Sequence, residues 1–166
     1  MRRMLLLGSA AVLLTSCLKR VDYPDRPDIN LTSVTIFSPP PDTITNPIGR
    51  VDFTFTDGDG DLGFRPGDTL DQFALYQPFY YNLVVNYFEM DSGEYVMDTA
   101  VSKLSSARFI SLTPEGADKT LEGDMEVGIF GLPPDTIPFD DTVRYEIHIA
   151  DRALHRSDTI VVDLIK

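Results

Sequence analysis

The stretch of sequence that most clearly suggests chemistry is an acidic loop with aspartates at alternate positions. It reads Asp57-Gly58-Asp59-Gly60-Asp61-Leu62-Gly63, and the glycines permit the positive φ angles that a tight wrap around an ion requires. Ca²⁺ takes about six to eight oxygen ligands, which an EF-hand loop draws from positions 1, 3, 5, 7, 9 and 12. Counted from Asp57, the corresponding ligands are the carboxylates of Asp57, Asp59, Asp61 and Asp68 and the carbonyl of Gly63.

The acidic loop departs from an EF-hand in three ways. Leu62 stands where the EF-hand has glycine, Asp68 stands where it has a bidentate glutamate, and the loop follows a predicted strand instead of a helix. Two like charges about 4 Å apart repel by about 4 kcal/mol at an effective dielectric of about 20, so converging carboxylates need a cation and splayed ones do not. The sequence leaves two alternatives, a calcium site and a solvated Asp-Gly turn.

An internal repeat predicts that Asp151 lies beside this loop. The sequence Pro-Pro-Asp-Thr-Ile occurs at 40–44 and again at 133–137, and each copy precedes a segment that begins with Arg and ends with Asp, at 50–57 and 144–151. As strands B and F of an immunoglobulin-like sandwich, these segments would deliver their following loops to the same end. Chance repetition of a short Pro-Pro turn is the alternative. Asp151 would then add a further oxygen ligand to the calcium site, and additional candidate donors are Asp158, Glu115 and Asp118.

Residues 73–88 contain seven of the 10 Phe and 7 Tyr side chains of the chain. Tyr81, Leu83, Val85 and Tyr87 stand at every second position of a predicted strand. They therefore share one face of it, which we expect to pack in the core. Tyr76, Phe79 and Tyr80 lie instead in the preceding loop, beside Pro78. Because exposed aromatic rings stack on sugars or anchor interfaces, these three are candidate contacts for a glycan or a protein partner.

The sequence contains little that indicates catalysis. It has no Gly-x-Ser-x-Gly motif and no phosphate-binding glycine loop, and its two histidines, His148 and His155, have neither a nucleophile nor a zinc-ligand spacing beside them. We therefore expect surface histidines and no enzyme activity. A hydrolase with paired carboxylates stays as an alternative, because the separation of carboxylates is not visible in a sequence.

The elements that would position these residues are predicted to be strands. From residue 29 onward apolar and polar residues alternate between turn signals, and no long stretch has a helical period. The predicted strands are 31–37, 51–56, 80–89, 94–98, 107–112, 125–130, 143–150 and 159–165. Such a series predicts an all-β, immunoglobulin-like, two-sheet antiparallel sandwich of about 7 to 9 strands.

Composition fits one domain with an acidic surface. The chain has 166 residues and a net charge of −12, with 20 Asp but only 6 Glu among its 26 acidic residues. This balance excludes nucleic acid as a partner, since phosphate binding needs clustered Lys and Arg. We assign residues 1–16 to a signal peptide, 17–29 to a lipidated cysteine and tether, and 30–166 to the sandwich domain.

The N-terminus predicts membrane attachment through lipid. Arg2 and Arg3 precede an apolar run of residues 4–14, which is too short for a bilayer-spanning helix of about 20 residues. The following Leu14-Thr15-Ser16-Cys17 resembles a bacterial lipobox, which implies cleavage before Cys17 and acylation of this only cysteine. No cysteine then remains for a disulfide. Because no acidic run follows Cys17, we expect the periplasmic face of the outer membrane rather than the cell surface.

Three segments together resemble a family of small immunoglobulin-like lipoproteins from Gram-negative envelopes. They are Phe53-Thr-Phe-Thr-Asp57-Gly-Asp-Gly-Asp-Leu-Gly63, Tyr81-Asn-Leu-Val-Val and Ile149-Ala-Asp151-Arg-Ala-Leu-His-Arg-Ser157. The resemblance implies the fold and the envelope location, and no catalytic residues. The leading functional prediction is a lipid-anchored, Ca²⁺-stabilised binding or assembly module. The alternatives are a glycan-binding accessory lipoprotein and, third, the carboxylate hydrolase.

Overall fold

The computed structural model describes residues 22–37, 46–113, 120–131 and 142–165. These residues form a mostly β structure, with one α-helix, α1 (Thr99–Ser105), and one 3-10 turn (Asp71–Phe73). The strands are β1 (Asp28–Ile36), β2 (Gly49–Asp57), β3 (Leu83–Asp91), β4 (Glu94–Met97), β5 (Leu121–Ile129), β6 (Thr142–Ile149) and β7 (Ile160–Ile165). No helix in the described part of the chain is long and apolar enough to cross a bilayer.

The strands form two antiparallel sheets, which confirms the predicted two-sheet sandwich. One sheet has the order β1-β2-β5 and the other the order β4-β3-β6-β7. In immunoglobulin-like terms these orders correspond to strands A-B-E and C′-C-F-G, so β2 is strand B and β6 is strand F. Both strands run toward the same end of the sandwich, which we call the loop end. The loops that follow β2 and β6 both emerge there.

Alternation along the strands builds the core between the two sheets. In β2, Val51, Phe53 and Phe55 are buried, whereas the residues between them are half-buried or exposed. Strand β6 repeats the pattern with Tyr145, Ile147 and Ile149, as the sequence predicted for this pair of strands. The proline-containing repeats at 40–44 and 133–137 lie outside the described residues.

The structure differs from the prediction between residues 99 and 112. Residues 107–112, predicted as a strand, make only isolated bridges, Ala107 with Leu83 and Ile110 with Phe64. The preceding residues form α1, whose N-cap is Asp98; its carboxylate accepts hydrogen bonds from the N–H groups of the first turn. A helix of seven residues is too short to produce a recognisable helical period in the sequence.

Helix α1 and its C-cap hydrogen-bond to the edge of β3, as a neighbouring strand would. Strand β4 pairs with β3 only from Phe88 onward, so the earlier part of that edge needs other partners. Ser102 Oγ accepts a hydrogen bond from the N–H of Tyr87 at 2.9 Å, and Ser106 Oγ accepts one from the N–H of Val85 at 3.0 Å. The two serines therefore provide acceptors for backbone N–H groups at a partly buried edge that β4 does not cover.

The last part of the predicted tether packs against the sandwich. Gly58 N–H donates to the carbonyl of Pro24 at 2.8 Å, Pro27 is buried, and Ile29 belongs to the core. Arg26 Nε donates to the carbonyl of Arg156 at 2.6 Å. Residues 22–27 thus lie against both loops of the loop end. Cys17 and the predicted signal peptide lie outside the described residues.

Replacing Ser102 should destabilise the fold. Ser102→Ala removes the side-chain oxygen that accepts the N–H of Tyr87 at a buried position, which should cost about 1 to 3 kcal/mol, even though alanine favours the helix. Lys103→Ala, on the exposed face of the same helix, is the matched control. Urea denaturation of both variants measures the difference. Equal stabilities would show that the serine is not needed at this edge.

Candidate metal centre

Three aspartates at the end of β2 converge on one point. Asp57, Asp59 and Asp61 each bring one carboxylate oxygen to within 4.8 Å of the other two, which makes them the acidic cluster. Asp57 is the last residue of β2 and is fully buried, whereas the other two are half-buried. The alternative of splayed carboxylates facing water is therefore not what the loop adopts. This spacing suits a hard divalent cation coordinated by oxygen.

The loop is held in this shape by a leucine in the core. Leu62 is fully buried, it bridges to Asp151, and its N–H donates to Asp57 Oδ2 at 3.1 Å. Positive φ angles at Gly60 and Gly63, 73° and 89°, let the chain turn between the acids and the core. Leucine at the position where an EF-hand has glycine thus has a structural reason, because it anchors the loop to the sandwich.

Burial and mutual repulsion raise the pKa values of the cluster. Desolvation, followed by the charge of Asp59, raises the pKa of Asp57 to about 7. Desolvation, followed by the charges of Asp151 and Asp59, raises the pKa of Asp61 to about 6. In each case the raised pKa means that the ionised carboxylate is destabilised where it stands. A bound cation would remove this penalty, because it would offset both the repulsion and the lost hydration.

Two carboxylate oxygens of the cluster accept no hydrogen bond from the described residues. They are Asp57 Oδ1 and Asp59 Oδ1, and both are shielded from solvent. A buried, unsatisfied carboxylate oxygen is costly, and native structures seldom retain one without a ligand, an ion or a bound water. This is the strongest sign that the cluster has a ligand.

Asp151 lies next to the cluster, as the internal repeat predicted. It is fully buried, bridges to Leu62 across the two loops and contributes to the raised pKa of Asp61. Its own carboxylate, however, accepts the N–H of His155 at 2.7 Å and lies 2.9 Å from His155 Nδ1. Both oxygens are thus used within the second loop. Asp151 supplies negative charge beside the cluster, while the backbone N–H of Arg152 reaches Asp61 Oδ1 at 3.3 Å.

Asp68, another predicted ligand, is not one of the three acids that converge. Arg152 holds Asp68 with two hydrogen bonds, at 2.8 and 3.3 Å, and the N–H of Arg65 donates to it at 2.8 Å. The Arg152 guanidinium therefore lowers the pKa of Asp68. Gly63 is buried where a Cβ would meet the backbone of Ile110 at 2.3 Å, so its lack of a side chain is a packing requirement.

Two arginines that the sequence analysis did not single out secure the loop end. Arg152 joins the two loops through Asp68, and Arg108 donates to the carbonyls of Asp68 at 2.7 Å, Phe73 at 3.2 Å and Tyr80. The Arg108 guanidinium also lies over the rings of Phe64 and Tyr80, 4.6 and 4.8 Å from their centroids. No local pattern indicates these roles, since each arginine acts on residues far away in sequence.

The three candidate aromatics of the loop have different environments. Phe79 lies under the guanidinium of Arg156 at 4.7 Å, and Tyr80 packs edge-on against Tyr81 as well as under Arg108. Tyr76 is 85% exposed and has a positive φ of 69°. Only Tyr76 therefore offers an open ring to a partner, whereas the other two rings stabilise the loop.

Of the remaining candidate donors, Asp158 is the one that the structure describes, and it is not part of the cluster. Asp158 forms an exposed ion pair with Arg26. Glu115 and Asp118 lie outside the described residues. His155 contacts Asp151, as noted, and His148 is half-buried on the outer face of β6, where desolvation and the nearby charge of Arg156 lower its pKa to about 4. This is less exposed than the surface position that the sequence suggested.

Comparison with protein-family models, curated proteins and solved structures found no match for this chain. The resemblance to envelope lipoproteins therefore stays a prediction that rests on the residues quoted for it.

His148 should make the fold less stable in acid. Because its pKa in the fold is about 4 and its ordinary value is 6.5, the unfolded chain takes up the proton first. Above about pH 6.5 His148 is neutral in both states and does not lower the free energy of unfolding. As pH falls toward about 4, protonation of His148 in the unfolded chain lowers the free energy of unfolding by up to about 3 kcal/mol. We expect His148→Gln to lose less stability than the wild type over this range in urea denaturation. Parallel pH profiles for the two proteins would contradict this effect.

Proposed function

We propose that the acidic cluster binds Ca²⁺ and that the ion stabilises the loop end of a lipid-anchored envelope protein. The observation that carries the proposal is the buried Asp57 Oδ1, which accepts no hydrogen bond from the described residues although two further carboxylates converge beside it. An ion would give this oxygen a partner. It would also neutralise charges that the fold otherwise holds together at a cost.

The donor set favours calcium over other metals. All three side chains of the cluster are carboxylates, and without sulfur or imidazole such a site suits hard cations. Mg²⁺ requires near-ideal octahedral geometry and usually keeps several waters with only one or two carboxylates. Ca²⁺ accepts irregular oxygen sets, so three aspartates with water completing the shell suit it better. Asp68, which is held by Arg152, would not be a ligand.

A binding or assembly role fits the loop end better than catalysis does. A carboxyl group with a pKa near 7 resembles a general acid, but Asp57 is fully buried and cannot reach a substrate. A glycan platform would need several open rings, whereas Arg108 and Arg156 cover two of the three candidates. An ion that fixes two neighbouring loops would instead present a stable surface to another envelope component.

Calcium should raise the melting temperature of the wild-type protein over that measured with a chelator. At 100 times the dissociation constant, binding adds about 2.7 kcal/mol, or roughly 5 to 10 °C for a domain of this size. Asp57→Asn should abolish the calcium shift. Without calcium this variant should melt at or above the wild type, because it removes a buried charge that the neighbouring aspartates repel, while its amide oxygen can still accept the hydrogen bond from Leu62.

The exposed Asp124 on β5 provides the matched control. Asp124→Asn removes the same charge from an exposed position opposite Thr54, outside the cluster, and should keep the full calcium shift. Isothermal titration with CaCl₂ should give one ion per chain for the wild type and for this control. A wild-type melt that calcium leaves unchanged would contradict the site, and so would an Asp57→Asn protein with an undiminished shift.

Lipid attachment should depend on Cys17. In a bacterial host, Cys17→Ser should abolish incorporation of labelled palmitate. Ser16→Ala keeps a small residue before the cysteine and should stay lipidated. The melting temperature of the unacylated variant should match that of the wild type, since Cys17 precedes the sandwich. Palmitate incorporation that persists in the Cys17→Ser protein would count against acylation at this residue.

A further inference from the structure

The loop end carries exposed apolar side chains that the fold does not use. Leu70, Leu75 and Tyr76 are 72%, 55% and 85% exposed, and all three lie in the loop between β2 and β3. Exposed apolar side chains also occur elsewhere on the described surface, among them Val96 and Met97 on β4, at 53% and 41% exposure. Exposed leucines beside a tyrosine are typical of surfaces that enter the interfacial region of a bilayer.

The chain that would lead to the lipid anchor leaves the sandwich at the same place. Residue 24 is fixed by the hydrogen bond from Gly58, and Arg26 bonds to the carbonyl of Arg156. Arg156 in turn donates to the carbonyl of Pro78 at 3.3 Å and covers the ring of Phe79. A continuous series of contacts therefore joins the N-terminal segment to the loop that carries the apolar residues.

Chain length limits how far the anchor can lie from the loop end. Five residue steps separate Cys17 from Asp22, and an extended chain spans at most about 3.6 Å per residue, so the two lie within about 18 Å of each other. The β3–β4 hairpin is at the opposite end of the sandwich, about 26 Å away along the nine residues of β3. An anchor at Cys17 thus holds the loop end nearer to the membrane than the hairpin.

We propose that the loop end faces the bilayer, with Leu70, Leu75 and Tyr76 in contact with lipid. This inference rests on the proposed acylation of Cys17. The contact is with the interfacial region of zwitterionic lipid, because Asp59, Asp61 and Asp71 lie in the same loop as these residues and disfavour an anionic surface. The opposite hairpin is then left facing away from the membrane, where a protein partner can reach it.

The sequence permits a site-specific test. Cys17 is the only cysteine and its thiol is consumed by acylation, so one added cysteine gives one labelling site. Leu75→Cys places a fluorophore in the apolar loop, and Glu94→Cys places it on the exposed hairpin at the other end. The acylated proteins are reconstituted into phosphatidylcholine–phosphatidylethanolamine vesicles with and without a nitroxide on the lipid headgroup. Thermal melts check that both variants fold as the wild type does.

We expect the nitroxide to remove more than half of the emission at position 75 and to leave position 94 unchanged. Equal quenching at both positions would mean that the sandwich lies on its side, and quenching at 94 alone would mean the reverse orientation. Unquenched emission at 75 would show that the loop does not touch lipid. Each of these three results overturns the inference.

The experiment also separates this inference from the proposed anchor. Mass spectrometry and vesicle flotation of the same samples report acylation directly. If the protein is acylated and floats but position 75 is not quenched, only the orientation is overturned. If Cys17 is not acylated and the protein does not float, the anchor and the orientation both fail.

Discussion

The loop end depends on the carboxylate of Asp57, which is buried where β2 leaves the core. Its position is not free to change, because Leu62, five residues later, is fully buried and its N–H binds Asp57 Oδ2. The core thus forces the acidic chain to turn inward at this point. Convergence of Asp59 and Asp61 beside Asp57 follows from this turn, and so do the raised pKa values of Asp57 and Asp61.

The acidic residues of the loop end fall into two groups. One group is neutralised within the protein, because Arg152 pairs with Asp68 and Arg26 pairs with Asp158. The acidic cluster has no such arginine partner among the described residues, and its negative charge is increased by the adjacent Asp151. Arginines are therefore present within a few residues of the cluster but bind other acids. This separation is the physical reason for considering a cation from solution.

Aromatic and apolar residues of the long loop are likewise divided by role. Arg108 and Arg156 cover the rings of Tyr80 and Phe79 and tie the loop to the sandwich, whereas Tyr76 and the neighbouring leucines are left exposed. Because the arginines hold the inner side of the loop against the sandwich, its apolar outer side can contact another surface without unfolding of the loop. The N-terminal segment lies along this region, so a binding surface, a proposed ion site and the approach to the proposed anchor occupy one end of the molecule.

The sequence by itself determined the strand alternation, the sandwich, the acidic loop and the proximity of Asp57 and Asp151, because each follows from local periodicity or from a repeat. Only the tertiary structure decided which acids converge. Asp68 satisfies the spacing of a ligand but binds Arg152, which lies 84 positions away in sequence. Helix α1 forms where no element was predicted, since Ser102 and Ser106 find hydrogen-bond partners on β3, and residues 22–27 are held by contacts with two distant loops. Spacing along a chain fixes which groups are available, whereas burial and long-range partners fix which of them remain free to bind.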